Sequence, residues 1–253
     1  MVFDELVFFN FLMIFMIAMG VIVFITLFYV TAGYGQHISE KYGPAINDKA
    51  GWLIMEVPTV IIYVILFVIG DYKSFMAILF LGFWLMHYGY RSFIFPALIR
   101  GDNKMPLSII VMGMIFNSAN AYLQGRWINS LSPGYETNWL FTPMFIIGVI
   151  IFFTGFSIHV SSDHKIRTLR KPGETGYKIP YGGLYRYVSC PNYLGEIIEW
   201  IGWAIMAWSK PGVVFALWTF FNLFPRARST HQWYLSKFDD YPKNRKALIP
   251  FIY

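Results

Sequence analysis

Long runs of apolar residues, separated by short polar segments, set the pattern of this chain. A helix needs about 20 consecutive apolar residues to cross the hydrocarbon core of a bilayer. Five runs reach that length and predict membrane-spanning helices, at residues 7–30, 51–70, 75–99, 106–123 and 139–158. The pattern therefore predicts an all-α, polytopic membrane protein.

A sixth apolar stretch, residues 193–224, is interrupted by Ser209-Lys210-Pro211-Gly212, a sequence typical of a turn. It predicts either two short helices or a re-entrant hairpin. In both cases the chain returns to the side of the membrane from which it came. Counted as two crossings, this stretch brings the predicted total to seven transmembrane helices.

Lys and Arg residues are divided unevenly between the loops. If the N-terminus lies outside, the loops 31–50, 100–105 and 159–192 and the tail 225–253 are cytoplasmic and hold 16 of the 20 Lys and Arg residues. The outer loops then hold three, Lys73, Arg126 and Lys210. Because cytoplasmic flanks are enriched in positive charge, the partition predicts an N-out, C-in topology. It also accounts for the net charge of +6 without a nucleic-acid partner.

Composition agrees with lipid as the surroundings of most of the surface. The 253 residues are 57% hydrophobic and 13% charged, whereas soluble domains are about a quarter charged. No linker, repeat or low-complexity tract interrupts residues 1–253, which are interpreted as a single domain. The single cysteine, Cys190, excludes an intramolecular disulfide and a thiolate zinc cluster. The acidic residues Asp4 and Glu5 predict that the first run is retained as an anchor.

Ionisable side chains inside the predicted spans are functional candidates, because a bilayer makes them costly. They are Glu56, His87, Arg91, Glu196 and Glu199, with Asn117 and Asn120 as polar companions. Glu56, Arg91, Glu199 and the neighbouring Tyr88 fall at comparable depths, roughly 8 to 16 Å from the cytoplasmic ends of their helices. This indicates a polar pocket open to the cytoplasm, the alternative being a structural ion pair between Glu56 and Arg91. His87 is interpreted as a packing residue without a catalytic role.

The predicted cytoplasmic loop 160–192 alternates basic residues, hydroxyl groups and glycines. Arginine forms bidentate bonds to phosphate and glycine lets a backbone approach closely, so this loop is suited to a phosphate ligand. The alternative is a positively charged flank that touches anionic lipid. Neither GxGxxG nor GxxxxGK[ST] occurs, and the five histidines lack the paired spacing of metal sites, so no metal is expected.

Several short motifs resemble the steroid 5α-reductase family of membrane enzymes. In the second half of the chain they are LRKPGE (169–174), YKIP (177–180), NYLGEIIEW (192–200) and DYPKNRKALIPF (240–251). Earlier matches, in the same order, are GYG (33–35), EVP (56–58), His87-Tyr88 with Arg91, and NAYLQG (120–125). The resemblance extends from about residue 32 to the end of the chain.

The resemblance implies a seven-helix fold and NADPH-dependent reduction of the double bond of a Δ4-3-ketosteroid. It places Glu56 and Tyr88 at the ketone oxygen of the substrate, with Arg91 supporting that pocket. It assigns the cofactor to a second set of residues: Asp163, Arg170, Tyr177, Asn192, Glu196, Arg226 and Tyr234. Two departures put neighbouring cofactor contacts in doubt: His159 stands where animal enzymes usually carry Asn, and Ser229-Thr230-His231 replaces a run of histidines.

The expected protein is thus a monomeric oxidoreductase in the endoplasmic reticulum membrane of a eukaryote or the inner membrane of a bacterium. Three alternatives remain open at this stage. The closing motif is also similar to reductases of trans-enoyl thioesters or polyprenols. Residues 186–195 resemble the cofactor segment of membrane methyltransferases that use S-adenosylmethionine. A sterol carrier would use the intramembrane charges only to hold helices together.

Overall fold

The computed structural model describes residues 4–33, 35–38, 40–101, 103–171, 174 and 176–253. These residues are mostly helical. The helices are α1 (Glu5–Tyr29), α2 (Asp48–Ile69), α3 (Phe75–Gly89), α4 (Phe95–Leu98), α5 (Leu107–Arg126), α6 (Pro143–Thr168), α7 (Pro191–Ala207) and α8 (Lys210–Lys237). Short 3-10 helices form at Gly35–His37, Glu40–Tyr42, Thr137–Phe141 and Gly183–Arg186. Two three-residue strands, β1 (Ala45–Asn47) and β2 (Lys104–Pro106), pair in antiparallel fashion.

Four helical segments in the described part of the chain are long and apolar enough to cross a membrane. They are Glu5–Tyr29, Asp48–Ile69, Leu107–Leu131 and Pro143–Thr168. They correspond to the first, second, fourth and fifth predicted runs, so the helical and membrane-protein character expected from the sequence is confirmed. The third run forms α3, a π-helical turn at Tyr90–Ile94 and then α4. A second π-helical turn, Trp127–Leu131, continues α5.

Two expectations are wrong in part, the start of the loop 159–192 and the short length of the last helix. Helix α6 continues to Thr168, ten residues into the predicted loop 159–192. Its last turn holds Lys165 and Arg167, whose charges favour a helix C-terminus. Helix α8 is not short, because it runs through Pro225 to Lys237. Beyond that proline, the helix is held by a buried cluster that includes Ala227.

The chain groups into two compact units. The first comprises Met1–Met16, Ala32–Ile146 and Ala207–Pro211, and the second comprises Ile17–Thr31, Ile147–Met206 and Gly212–Tyr253. The expectation of a single domain stays a prediction.

The first unit is built on the pairing of α2 with α5. At one end, Gly51 faces the side chains of Met105 and Ile110, and further along Gly125 faces Leu66. Residue numbers rise together along both helices, so α2 and α5 run parallel. The β1–β2 pair therefore joins the segments that precede them, with Ala45 opposite Pro106.

The second unit is built on a close approach of α6 and α7. A Cβ atom added at Gly155 would lie 2.2 Å from the backbone nitrogen of Glu199, and one added at Gly195 would lie 2.4 Å from that of His159. Small residues allow such contacts between membrane helices. The C-terminal segment packs on the same unit, where Val188 forms a parallel bridge with Lys246.

Candidate functional site

Glu56 is held inside the first unit by helix α5. It is 7% exposed on the inner face of α2, next to the equally buried Asn117. The Asn117 side-chain amide donates to Glu56 Oε2 at 3.1 Å and to the backbone oxygen of Met55 at 2.8 Å. The carboxyl group is therefore anchored across the α2–α5 interface.

Tyr88 is connected to Glu56 through two intermediate residues. The Thr59 hydroxyl donates to the backbone oxygen of Glu56, and the indole of Trp84 donates to the backbone oxygen of Thr59 at 3.2 Å. The centroid of the Trp84 ring in turn lies 4.5 Å from that of the Tyr88 ring. Tyr63 stacks on the Trp84 ring at 4.8 Å. Tyr88 itself is 3% exposed. Helices α2 and α3 thus bring the two predicted substrate residues into one buried polar and aromatic cluster.

Arg91 lies in the π-helical turn that follows α3. Its guanidinium lies over the rings of Trp52, at 4.5 Å, and Phe95, at 4.9 Å. A cation held between aromatic faces keeps its charge at a defined position. π-helical turns occur frequently at functional sites, which agrees with the supporting role that the resemblance implies.

The second unit holds three carboxylates around the buried His159, two of them buried and one, Glu196, partly exposed. The Nε2 atom of His159 lies 3.3 Å from Asp163 and 3.9 Å from Glu196, and its Nδ1 atom lies 3.4 Å from Glu199. Because both ring nitrogens face carboxylates, an imidazolium that donates from both sides fits best. Asn192 donates to the second oxygen of Asp163 at 3.0 Å. Three of the predicted cofactor residues, Asp163, Asn192 and Glu196, are therefore brought together.

The other predicted cofactor residues lie in two further groups of this unit. Tyr177 and Tyr234 both contact the ring of Trp233, at 4.9 and 5.1 Å. Arg226 donates to the Tyr193 hydroxyl and to Asn222, both at 3.2 Å. The remaining one, Arg170, lies 3.5 Å from the backbone oxygen of Gly176 on the partly exposed loop after α6.

The segment Ser229-Thr230-His231 contributes to a polar contact with the C-terminal segment. Ser189 hydrogen-bonds with Nδ1 of His231 and with the Tyr241 hydroxyl, both at 2.6 Å. Burial, assisted by the charges of Lys246 and Arg245, lowers the pKa of His231 below its ordinary value of 6.5. The imidazole is therefore neutral at pH 7 and acts here as a hydrogen-bonding group that secures the chain's last segment.

The sequence did not identify Asn117 and His159 as contacts of the candidate residues, and three motif positions lie outside the described part of the chain. Asn117 was noted only for being polar, and His159 only as a departure from a pattern. The four-residue spacing of His159 and Asp163 on one helix would have revealed their contact. Tyr34, Pro172 and Gly173, which belong to the family-like motifs, lie outside the described residues.

Comparison with known proteins gives consistent matches over almost the whole chain. The family model described as 3-oxo-5-alpha-steroid 4-dehydrogenase matches residues 103–253. Steroid 5-alpha-reductase DET2 of Solanum lycopersicum is 44% identical over 251 residues, which cover 97% of each chain. The protein of the same name from Arabidopsis thaliana is 39% identical over 254 residues, again 97% of each chain. 3-oxo-5-alpha-steroid 4-dehydrogenase 1 of Homo sapiens is 40% identical over 239 residues, covering 93% of this chain and 92% of the human protein.

Proposed function

The chain belongs to the 3-oxo-5-alpha-steroid 4-dehydrogenase family, and we propose that it reduces the Δ4 double bond of 3-ketosteroids with a hydride from NADPH. Members of this family are oxidoreductases that act on CH–CH bonds, and 5-alpha reduction of a steroid follows from membership. The cofactor, the direction of hydride delivery and the residue roles are the proposal. The match to reductases along the full length of this chain is the observation that carries it.

The proposed chemistry requires a hydrogen-bond donor at the ketone oxygen of the steroid. Hydride adds to the β-carbon of the enone, the ketone oxygen takes the negative charge of an enolate, and a proton then adds to the α-carbon. A donor aimed at that oxygen stabilises the transition state more than the ground state. We assign this donor to the hydroxyl of Tyr88. Glu56, if neutral, donates a second bond, and the Arg91 guanidinium supports the same pocket.

The side chains of the second unit fit NADPH chemically. Arg167 Nη1 and Arg245 Nε and Nη1 are buried donors with no hydrogen-bond partner in the described part of the chain. Phosphate oxygens satisfy donors of this kind. The exposed ring of Tyr177 offers a face for a flat heterocycle, and the Asp163 carboxylate would accept from a sugar hydroxyl. Tyr234 is buried and stacked on Tyr241, and it contacts the same Trp233 ring as Tyr177. We propose that these groups, with Arg170, Asn192, Glu196 and Arg226, bind the cofactor, which when bound supplies the hydride.

The function is tested with the purified protein in lipid nanodiscs, NADPH and a panel of Δ4-3-ketosteroids. The expected result is stoichiometric oxidation of NADPH and formation of the 5α-reduced ketosteroid, identified by mass spectrometry. S-adenosylmethionine, a trans-enoyl thioester and a polyprenol precursor serve as competing substrates or ligands. Thermal stabilisation by S-adenosylmethionine but not by NADPH would replace the proposal with a methyltransferase.

Replacing Arg170 with alanine is expected to raise the Kd for NADPH about tenfold or more, because a charge-assisted bond to phosphate is lost. Steroid binding should change little. Lys171→Ala is the matched control, since it removes the neighbouring positive charge from the same loop. If the loop only touches anionic lipid, both variants will bind NADPH like the parent protein, as measured by fluorescence titration.

We also propose seven crossings with the N-terminus outside and the C-terminus in the cytoplasm. The contacts of the first unit support the grouping of its loops on two sides of the membrane, and the partition of Lys and Arg supports the orientation. Segments assigned to the outside meet one another: Arg126 binds Glu5 at 2.6 Å, and the backbone nitrogen of Tyr72 donates to Asn129 at 2.9 Å. Segments 31–50 and 100–105, both assigned to the cytoplasm, meet in the β1–β2 pair.

Cysteine labelling checks the proposed topology. Burial raises the pKa of the Cys190 thiol to about 12, so the native cysteine should not react with a maleimide. Lys171→Cys is expected to be labelled only after the membrane is made permeable, and Glu136→Cys from the outside. Labelling of Lys171→Cys in sealed cells would rule out the orientation and the access of that loop to cytoplasmic NADPH.

A further inference from the structure

The amide of Asn117 makes an unusual pair of contacts within the α2–α5 interface. Both of its hydrogen bonds go to consecutive residues of α2, the backbone oxygen of Met55 at 2.8 Å and Glu56 Oε2 at 3.1 Å. Both acceptors are oxygen atoms that converge on the amide nitrogen. The opposite orientation would place the amide oxygen against them, so the two contacts fix which way the amide points.

The burial of this pair makes the contact strong. Asn117 is 6% exposed and Glu56 is 7% exposed, so bulk water does not compete for either group. A hydrogen bond is stronger in apolar surroundings than in water, because the local dielectric constant is lower. The side chain of Glu56 therefore loses rotational freedom that it would keep in an open pocket.

We infer that Asn117 is a positioning residue that anchors the carboxyl group of Glu56 to helix α5 through Oε2 and so fixes the orientation of the acid at the ketone of the substrate. The inference rests on the proposed role of Glu56 at that ketone. The bond from the amide restricts rotation of the carboxyl group, so the acid is already oriented when the substrate binds.

The stage of the reaction at which the Asn117–Glu56 hydrogen bond contributes determines whether its loss changes kcat or KM. Asn117 orients a donor that is most strongly used when charge develops on the ketone oxygen. Its loss should therefore lower kcat about tenfold or more and change KM less. A residue that only fills space between α2 and α5 would lower the stability of the protein without this division between kcat and KM.

A double-mutant cycle tests the inference in the full-length protein in nanodiscs with NADPH and a Δ4-3-ketosteroid. Rates are measured in single turnovers with enzyme in excess, so that slow variants remain measurable by mass spectrometry. Asn117→Leu is expected to lower the rate at least about tenfold in the parent protein and less than about twofold in a Glu56→Ala background, because residues that act as a unit are not additive. Asn117→Ala, which also removes the amide donor, should match Asn117→Leu and replaces it if the leucine variant does not fold.

Asn120→Leu is the matched control. This amide lies one turn further along α5, is 1% exposed and bonds to Gln124 rather than to Glu56. Its effect on the rate should be the same in both backgrounds. Equal losses for Asn117→Leu in both backgrounds, with Glu56→Ala clearly impaired, would overturn the role of Asn117 alone. A normal rate for Glu56→Ala would instead overturn the proposed site on which the inference rests.

Discussion

Replacing Tyr88 with phenylalanine is expected to lower the rate of steroid reduction about a hundred- to a thousand-fold, the loss typical of a removed oxyanion donor. The phenyl ring preserves the contact with Trp84, whose centroid lies 4.5 Å away. Only the hydroxyl is lost, so the protein should stay folded and bind NADPH. The rate is measured as formation of the 5α-reduced product, and cofactor binding by fluorescence titration.

Tyr63→Phe provides the matched control for this experiment. Tyr63 stacks on the same Trp84 ring, with the two ring centroids 4.8 Å apart. It is fully buried. Its hydroxyl has no hydrogen-bond partner among the described residues, and its removal should leave turnover unchanged. Near-normal turnover by Tyr88→Phe, or equal losses in both variants, would mean that the donor to the ketone is a different residue.

Replacing Gly155 with alanine is expected to destabilise the second unit severely. The added Cβ would lie 2.2 Å from the backbone nitrogen of Glu199 and 2.5 Å from the backbone oxygen of Gly195. Backbone atoms cannot turn aside as a flexible side chain can, so α6 and α7 must separate. Overpacking of this kind costs about 1–3 kcal/mol and occasionally more. Thermal unfolding in detergent, followed by intrinsic fluorescence, should show a Tm lowered by several degrees.

Gly82→Ala separates steric conflict from the general effect of losing a glycine. Gly82 also lies inside a helix, but apart from its chain neighbours and the adjacent backbone of its own helix, no heavy atom lies within 4 Å of a Cβ added there. Alanine is favoured over glycine in a helix by about 0.5–1 kcal/mol, so the Tm should stay equal or rise. If both alanine variants unfold at the same temperature, the close approach of α6 and α7 contributes nothing to stability.

The positions and lengths of the apolar runs predicted most of the long helices. The runs at 7–30 and 51–70 form α1 and α2, with bounds that agree to within three residues at the start and one at the end. The polar ends of α6 and α8 were not predicted, because hydropathy ceases to mark a helix once it leaves the apolar environment. Their bounds depend on propensity, helix-end charges and packing of the C-terminal segment. The π-helical turn at Tyr90–Ile94 has no sequence signature of comparable strength.

The candidate site divides in a similar way. Glu56, Tyr88 and Arg91 were chosen as candidates because polar or ionisable groups inside apolar runs are costly and because short motifs resemble a family; their roles stay a prediction. The partners that hold them could not be found so easily. Asn117 lies 61 residues from Glu56 along the chain, and no local pattern predicts that pair. The carboxylates around His159 likewise come from two helices, and only their packing at glycines defines the cluster.

Helix α7 ends and helix α8 begins at the same turn, but the two helices differ greatly in length, with 17 and 28 residues. At 1.5 Å per residue they rise about 26 and 42 Å, against a hydrocarbon thickness of about 30 Å. In the proposed topology, α7 is slightly too short for the bilayer and draws the lipid around it thinner. Helix α8 is then about 16 Å longer than α7. In that topology the last turns of α8, which hold His231 and Tyr234, lie beyond the hydrocarbon, and their distance from the membrane surface is set by the length of one continuous helix.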